Sequence, residues 1–543
     1  MGTTDILLIV LAFCALWVTA FVCWFIYQLA VMLKRVNDVI LEIKTQAQKI
    51  EDALNFLKEK FGGKGEAIVE ENLKAFDEGF GLIDEKFFEV EGATGSGSGA
   101  ARAKSAALLN GNDAVCLGAV KSGCKFVAEY PMTPSSSILH TMAGWAEKFG
   151  IVVKHAEDEI AAMNMIVGAG FAGARALTAT SGGGFALMTE AVGLAGASET
   201  PCVVVNAQRP GPSTGFPTKT EQGDLRQVLH AGQGDFPRLV MAPGDARECF
   251  EMGFSSFNYA DRFQIPVLIL TDKYLSETFV SVDELETADD RATMRIERGK
   301  IVGEVGEEAA GLNGSARKLG CKAADSRTPS VSEVRVFARY MDSMDGVSPR
   351  TLPGTVGGEH VATSYEHDEG SFLVEDVESR NLQMRKRMRK METLLGVLPE
   401  PVVIDGEGKE VDLDEWARGL KARPTNSDRS GFVVFISFGS LKPVLMEACK
   451  RLGAGKKAVK AGVLMVKYLA PFHDEAMKKI LNKVMRGGGR VIGVEQNFSG
   501  QLCGLVREKT GIEISEKILK YDGREMDSGW VLKMLQERSL NVH

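Results

Sequence analysis

No two of the nine cysteines stand in a C-x-x-C spacing. That excludes zinc ribbons, thioredoxin-like redox pairs and ferredoxin-type cluster runs. An odd number of cysteines scattered over a long chain reads as reduced thiols in a cytosolic protein, not as a disulfide framework. A basic excess is missing too: 64 Lys and Arg stand against 72 Asp and Glu, a net charge of −8 with a pI near 5.7. Phosphate backbones need a basic surface, so nucleic acid is excluded as the main partner. Compositional bias is absent, with 45% hydrophobic and 25% charged residues, as in an ordinary folded protein. The 543 residues suffice for three or four domains. Glycine is the abundant residue, 59 in all, which predicts many tight turns or close backbone approaches.

The N-terminus differs from the rest. Ile6 to Leu33 carries no charged residue, and Asp5 and Lys34-Arg35 flank it. As a helix it exceeds the ~30 Å hydrocarbon core, and its positive charge follows the segment instead of leading it. The run reads as a transmembrane helix with the C-terminal bulk on the cytoplasmic side. Apolar residues from Val36 to Leu57 then recur at steps of three and four, the pattern of an amphipathic helix. Gly95-Ser96-Gly97-Ser98-Gly99 is a flexible linker by composition.

Two α/β blocks follow. In the first, strand-like runs at 125–130, 151–155, 176–181, 201–206, 238–241 and 266–271 alternate with helical patterns. This predicts a mainly parallel sheet covered on both faces, with ligands at the strand carboxyl ends. Residues 280 to 430 are less regular. Their basic run Arg385-Lys386-Arg387-Met388-Arg389-Lys390 reads as a solvated helix face. From Gly431 the rhythm returns, with strands at 432–438, 462–466 and 490–494.

Three features of the first block suit chemistry. Tyr130-Pro131-Met132-Thr133-Pro134 ends a strand, with Thr133 placed as an N-cap and Pro134 as the first helical residue. Such a turn serves an anionic ligand or simply caps the helix. Gly182-Gly183-Gly184 lies between a strand and a helix, either hugging a ligand or making a tight turn. Glu157-Asp158-Glu159 precedes an almost uncharged helix. Its acids either complement the helix dipole or place a carboxylate where proton chemistry is done.

Taken in order, these features and four further motifs resemble one family. The motifs are Gln208-Arg209-Pro210-Gly211-Pro212-Ser213-Thr214-Gly215, Gln222-Gly223-Asp224-Leu225, Glu495-Gln496-Asn497-Phe498-Ser499-Gly500-Gln501-Leu502 and Tyr521-Asp522-Gly523-Arg524. The chain from about 105 to 526 resembles the alpha subunit of 2-oxoacid:ferredoxin oxidoreductases, the 2-oxoglutarate (KorA-like) branch in particular. The resemblance implies a thiamine-diphosphate-binding, pyrimidine-type doubly wound α/β domain plus a smaller C-terminal transketolase-C-like α/β domain. It implies oxidative decarboxylation of a 2-oxoacid, 2-oxoglutarate foremost, with CoA to acyl-CoA and CO₂, reducing ferredoxin.

The cofactor is shared in this family. A beta subunit supplies the diphosphate and magnesium site and an iron–sulfur cluster, and no metal ligand is expected in this chain. In keeping with that division, the sequence has no Gly-Asp-Gly motif followed by the expected Asn pair, and no cluster-type cysteines. By resemblance Glu159 is the catalytic glutamate that bonds the aminopyrimidine N1′, with Glu157 the alternative. Tyr130, Pro131, Gly182 and Gly183 join Glu159 around the cofactor. Thr133 and Arg209 bind the substrate, and His155 is a candidate proton shuttle.

The organisation this implies is a transmembrane helix at 1–35, an amphipathic helix and gamma-domain remnant at 36–92, and a linker at 93–104. A pyrimidine-binding domain at 105–285, a connecting region at 286–430 and a C-terminal α/β domain at 431–543 follow. The catalytic domains are expected in the cytoplasm, anchored to the membrane through residues 6–33. Two other functions fit the same residues: a membrane-tethered scaffold that has lost the chemistry, and a thiamine-dependent decarboxylase without ferredoxin.

Overall fold

The structure is a computed structural model that describes residues 107–282, 285, 294–303, 337–418, 432–454 and 459–540. The expected transmembrane helix, amphipathic helix, gamma-domain remnant and linker lie outside the described residues. Among the described residues no helix is long and apolar enough to cross a membrane. The chain divides into Met1–Ala103 and Lys104–His543, and the described residues all lie in the second unit.

The first block runs β1 (Ala107–Leu109), α1 (Gly111–Lys121), β2 (Phe126–Glu129), α2 (Ser136–Phe149), β3 (Val152–His155), α3 (Glu159–Phe171), β4 (Ala176–Thr180), α4 (Gly182–Ala197) and β5 (Cys202–Gln208). It continues with α5 (Leu225–His230), β6 (Leu239–Met241), α6 (Ala246–Phe263), β7 (Pro266–Asp272), α7 (Lys273–Glu277) and β8 (Val280–Val282). The later chain adds α8 (Val377–Leu395), β9 (Val403–Ile404), α9 (Leu413–Arg418), β10 (Val433–Ser437), α10 (Leu441–Ala454), β11 (Ala461–Met465) and β12 (Tyr468–Ala470). It closes with α11 (Asp474–Arg486), β13 (Arg490–Glu495), α12 (Gln501–Thr510), β14 (Glu516–Leu519) and α13 (Ser528–Leu540).

The larger sheet has seven strands in the order β12-β6-β7-β5-β4-β2-β3. Its central strands β4, β5 and β7 are buried along their whole length, which explains their unbroken apolar runs. Val204 and Leu268 face one core, while Val203, Val205, Val267 and Ile269 face the other. Strands β2 to β7 pair in parallel throughout. The seventh strand comes from the later block: β12 pairs antiparallel with β6, Tyr468 opposite Met241. The smaller sheet, β14-β13-β10-β11-β9, is parallel except for β9, which runs antiparallel to β11. Helix α1 lies close against α6 because glycines meet there. A Cβ on Gly118 would sit 2.2 Å from the Phe250 carbonyl, and one on Gly253 would sit 2.7 Å from that of Val115.

Two local expectations need correction. Thr133 is not the cap of α2: the helix starts at Ser136, with Ser135 in the cap position. The Ser135 N–H and hydroxyl both donate to the Met132 carbonyl, closing a turn before the helix begins. The basic run is not a solvated face either. Lys386, Arg387 and Lys390 of α8 are buried, because Glu199, itself buried, and Glu366, half-buried, pair with them. Both oxygens of Glu199, in the loop between α4 and β5, are taken by lysines: Lys386 Nζ at 2.6 Å and Lys390 Nζ at 2.6 Å. Arg387 pairs with Glu366 through its two terminal guanidinium nitrogens, at 2.6 and 2.7 Å. Burial pushes the Glu199 carboxyl up, but the two lysines outweigh it and hold it well below the usual carboxylate range. Burial, reinforced by repulsion from Lys386, pushes Lys390 down to about 7 against the pull of Glu199.

Candidate functional site

The carboxyl ends of the parallel strands bring the conspicuous residues to one edge of the larger sheet. After β3, Asp158 caps α3 by accepting from the Ala161 N–H at 2.7 Å. This fixes the first helical residue, Glu159, which is 3% exposed, with Oε1 unpartnered. A buried carboxylate oxygen without a partner is costly unless a ligand or water meets it. Glu157, two residues earlier, is exposed, and so is His155.

After β4 comes the triglycine. It is not a turn before the helix but its first turn, since α4 starts at Gly182 with Ser181 as cap residue. Its third glycine makes room for the carboxylate. A Cβ on Gly184 would lie 2.3 Å from Thr180 Oγ1 and 2.5 Å from Glu159 Oε1. Met132 reaches across from the turn after β2, its Sδ accepting from the Gly184 N–H at 3.3 Å. Glu159, Thr180, Gly184 and Met132 therefore form one contact group. Gly182 abuts another carboxylate: Asp224 Oδ2 lies 2.5 Å from where its Cβ would be. Burial pushes Asp224 up to about 6, against a hydrogen bond from Asn206 and the charge of Arg209.

Arg209, just past β5, donates from Nη1 to the Thr133 carbonyl at 2.6 Å. The two residues expected to bind substrate are thus joined directly. Tyr130 stays at the rim, 38% exposed, its ring 6.3 Å from that of His155. Pro131 is half-buried beside it.

The smaller domain docks onto the same edge through Gln222. The Gln222 side chain donates to Asp272 Oδ2 at 3.0 Å and to the Phe438 carbonyl at 3.2 Å. Its backbone N–H donates to the Gln496 carbonyl at 2.7 Å. Gln501 accepts from the Arg226 N–H at 2.9 Å and donates to the Gly223 carbonyl at 2.7 Å. Glu495 is held by the Leu502 and Cys503 N–H groups at 2.8 and 2.9 Å. Sequence reasoning gave no role to Met132, Asp224 or Gln222. The signal was present in the motif from Gln222 to Leu225, whose partner in space is the motif from Glu495 to Leu502.

Residues 117–309 match the family described as pyruvate flavodoxin/ferredoxin oxidoreductase, thiamine diphosphate-binding. The 2-oxoglutarate:ferredoxin oxidoreductase of Magnetococcus marinus, solved with 2-oxoglutarate, coenzyme A and succinyl-CoA bound, superposes with a TM-score of 0.66. It is 30% identical, over 89% of this chain and 73% of that one. The chain belongs to the 2-oxoacid:ferredoxin oxidoreductase family. The alpha subunit of 2-oxoacid:ferredoxin oxidoreductase 2 from Aeropyrum pernix is 34% identical over 483 residues, covering 86% of this chain and 66% of that protein. The corresponding alpha subunit of Saccharolobus solfataricus is 34% identical over 77% of this chain and 59% of that one. The chain thus spans about three-fifths to two-thirds of the length of these relatives. The 2-oxoglutarate synthase subunit KorA of Methanocaldococcus jannaschii is 29% identical, with 86% of its length covered.

The site fits the pyrimidine half of the thiamine diphosphate implied by this family. It offers the buried Glu159 carboxylate with an unpartnered oxygen, Gly184 at the helix start beside it, and the Met132 thioether to pack on a ring. Among the described residues no cluster of three or more His, Cys, Asp or Glu is placed to hold a metal ion.

Proposed function

We propose that this chain is the alpha subunit of a 2-oxoacid:ferredoxin oxidoreductase acting on 2-oxoglutarate, with CoA as acyl acceptor and ferredoxin as electron acceptor. A beta subunit completes the cofactor site with the diphosphate and magnesium ligands and carries the iron–sulfur cluster. The observation that carries the reading is Glu159, buried beside Gly184 with one oxygen free. The names of the relatives, 2-oxoglutarate synthases among them, support the substrate.

When bound, thiamine diphosphate supplies the carbon nucleophile and the electron sink for decarboxylation. The chain's own residues set the conditions for that chemistry. Glu159 holds a proton at the pyrimidine N1′ and can take it back. Met132 and Gly184 shape the slot and keep water from the carboxylate. Arg209 spends one N–H on Thr133 and keeps others for the substrate carboxylate, which its planar fork matches. Gln222 and Gln501 hold the smaller domain against the loop that carries Arg209.

The decisive test is partner dependence. Coexpression with a cluster-bearing beta chain is expected to give 2-oxoglutarate- and CoA-dependent viologen reduction, whereas the isolated chain binds thiamine diphosphate only weakly by calorimetry. Tight binding by the isolated chain would contradict the divided site. A second test addresses the glycine. Gly184→Ala drives a methyl into Thr180 and Glu159, and a displacement of about 1 Å at a reacting group can cost roughly 10²-fold. Turnover of the assembled enzyme is expected to fall by about that factor. Unchanged turnover would mean that the carboxylate is not needed where it sits.

A further inference from the structure

We propose that Glu129 is a positioning residue of the 2-oxoacid site, acting through Ser135 to hold Thr133 in place; this rests on the functional reading above. Glu129 is the last residue of β2 and is 0% exposed. It lies directly under the turn that carries Thr133. Three successive carbonyls of that turn are pinned. Met132 O accepts from the Ser135 hydroxyl at 2.7 Å, Thr133 O from Arg209 at 2.6 Å, and Pro134 O from Asn112 Nδ2 at 2.9 Å. Asn112 is itself 0% exposed and also donates to Ser137 Oγ at 2.8 Å. Thr133 cannot turn without breaking this set.

The Ser135 hydroxyl is the joint. Its oxygen lies 2.7 Å from Met132 O and 3.5 Å from Glu129 Oε1. A hydroxyl has one hydrogen and two lone pairs. If that hydrogen goes to Met132 O, Glu129 must be the donor in the second contact, which only a protonated carboxyl can be. An ionised Glu129 would compete for the hydrogen and leave Met132 O with the Ser135 N–H alone. Burial favours the protonated form, pushing the Glu129 carboxyl well up. Among the described residues its Oε2 has no partner, and no cation pairs with the carboxyl. The acid is thus kept neutral by its surroundings and points the serine at the turn.

Two substitutions separate positioning from packing, each made in the assembled alpha–beta enzyme. Glu129→Gln keeps the size, carries no charge, and offers an N–H to Ser135. Glu129→Leu keeps the bulk and loses the donor. The Leu variant is expected to raise the KM for 2-oxoglutarate about tenfold, the scale of one hydrogen bond. Its kcat and its KM for CoA should stay within about threefold, and the Gln variant should restore the 2-oxoglutarate KM. Calorimetric affinity for 2-oxoglutarate should follow the same order. If the Leu variant does not fold, Ser135→Ala replaces it, removing the joint with little change in volume and the same expected rise. An unmoved 2-oxoglutarate KM and affinity in the Leu variant, or in Ser135→Ala where that replaces it, overturns the proposal. So does a Gln variant as impaired as Leu. A wild-type complex that neither binds nor converts a 2-oxoacid overturns the functional reading and this proposal with it. Wild-type activity with unmoved variants overturns the proposal alone.

Discussion

Glu159→Gln is expected to reduce 2-oxoglutarate-dependent viologen reduction by about 10²- to 10⁴-fold, the range of general acid–base contributions. The amide matches the carboxylate in size, so the packing beside Gly184 should survive, and with it assembly with the beta subunit. What the amide cannot do is give up and recover a proton at N1′. Glu157→Gln is the control, since Glu157 is exposed while Glu159 is 3% exposed. It should stay within a few-fold of wild type. Size-exclusion profiles and initial rates of both variants decide the assignment: a dead Glu157→Gln beside an active Glu159→Gln would mean that the wrong carboxylate has been chosen.

The second large effect is on stability. Glu199→Gln leaves two buried lysines facing a neutral amide. Removing one partner of a buried ion pair typically costs about 3–5 kcal/mol. The denaturant midpoint should fall accordingly, in the assembled enzyme and in the alpha chain alone. Replacing all three groups, Glu199→Leu with Lys386→Met and Lys390→Met, should recover much of the loss, because no charge then remains uncompensated. A single variant as stable as wild type would refute the account.

The same cluster predicts a dependence on pH. Glu199 has a folded pKa below its unfolded value of about 4.3. Its contribution is complete above that value and is lost as pH falls further. Lys390 acts with the same sign in a higher pH window. Its folded value is lowered to about 7, so between about pH 10 and 7 the unfolded chain takes up the proton first and stability declines on acidification. That slope should become shallower in Lys390→Met, with Lys386, which burial also lowers, supplying the remainder.

The parts of this molecule that were legible in its sequence are those with a local signature. Three successive valines, Val203 to Val205, can only be a strand buried on both faces, and they are. The run Glu157-Asp158-Glu159 stood out because an almost uncharged helix follows it, and within the run Glu159 was set apart by the family resemblance. The failures share one cause: their explanation lies far along the chain. Lys386 and Lys390 carry no mark of burial, because the charge that permits it sits at Glu199. Ser135, not Thr133, takes the cap position because its hydroxyl turns back to Met132, a preference that Ser135 and Thr133 share as residue types. Tyr468 to Ala470 is too short to show a period, and its partner is β6 of the earlier block.

That last strand bears on how the protein is made. Synthesis runs from the N-terminus at about 5–20 residues per second, so more than two hundred residues, or roughly ten to forty-five seconds, separate Met241 from Tyr468. For that interval β6 leaves the ribosome with one side of its backbone unpaired, a template for any passing strand. The nascent chain must shield that edge, alone or with a chaperone, until its own distant segment arrives. A C-terminal fragment starting at residue 432 would carry the complementary fault, a strand without its neighbour. The larger sheet is therefore completed late, by a segment made only after most of the chain has been synthesised.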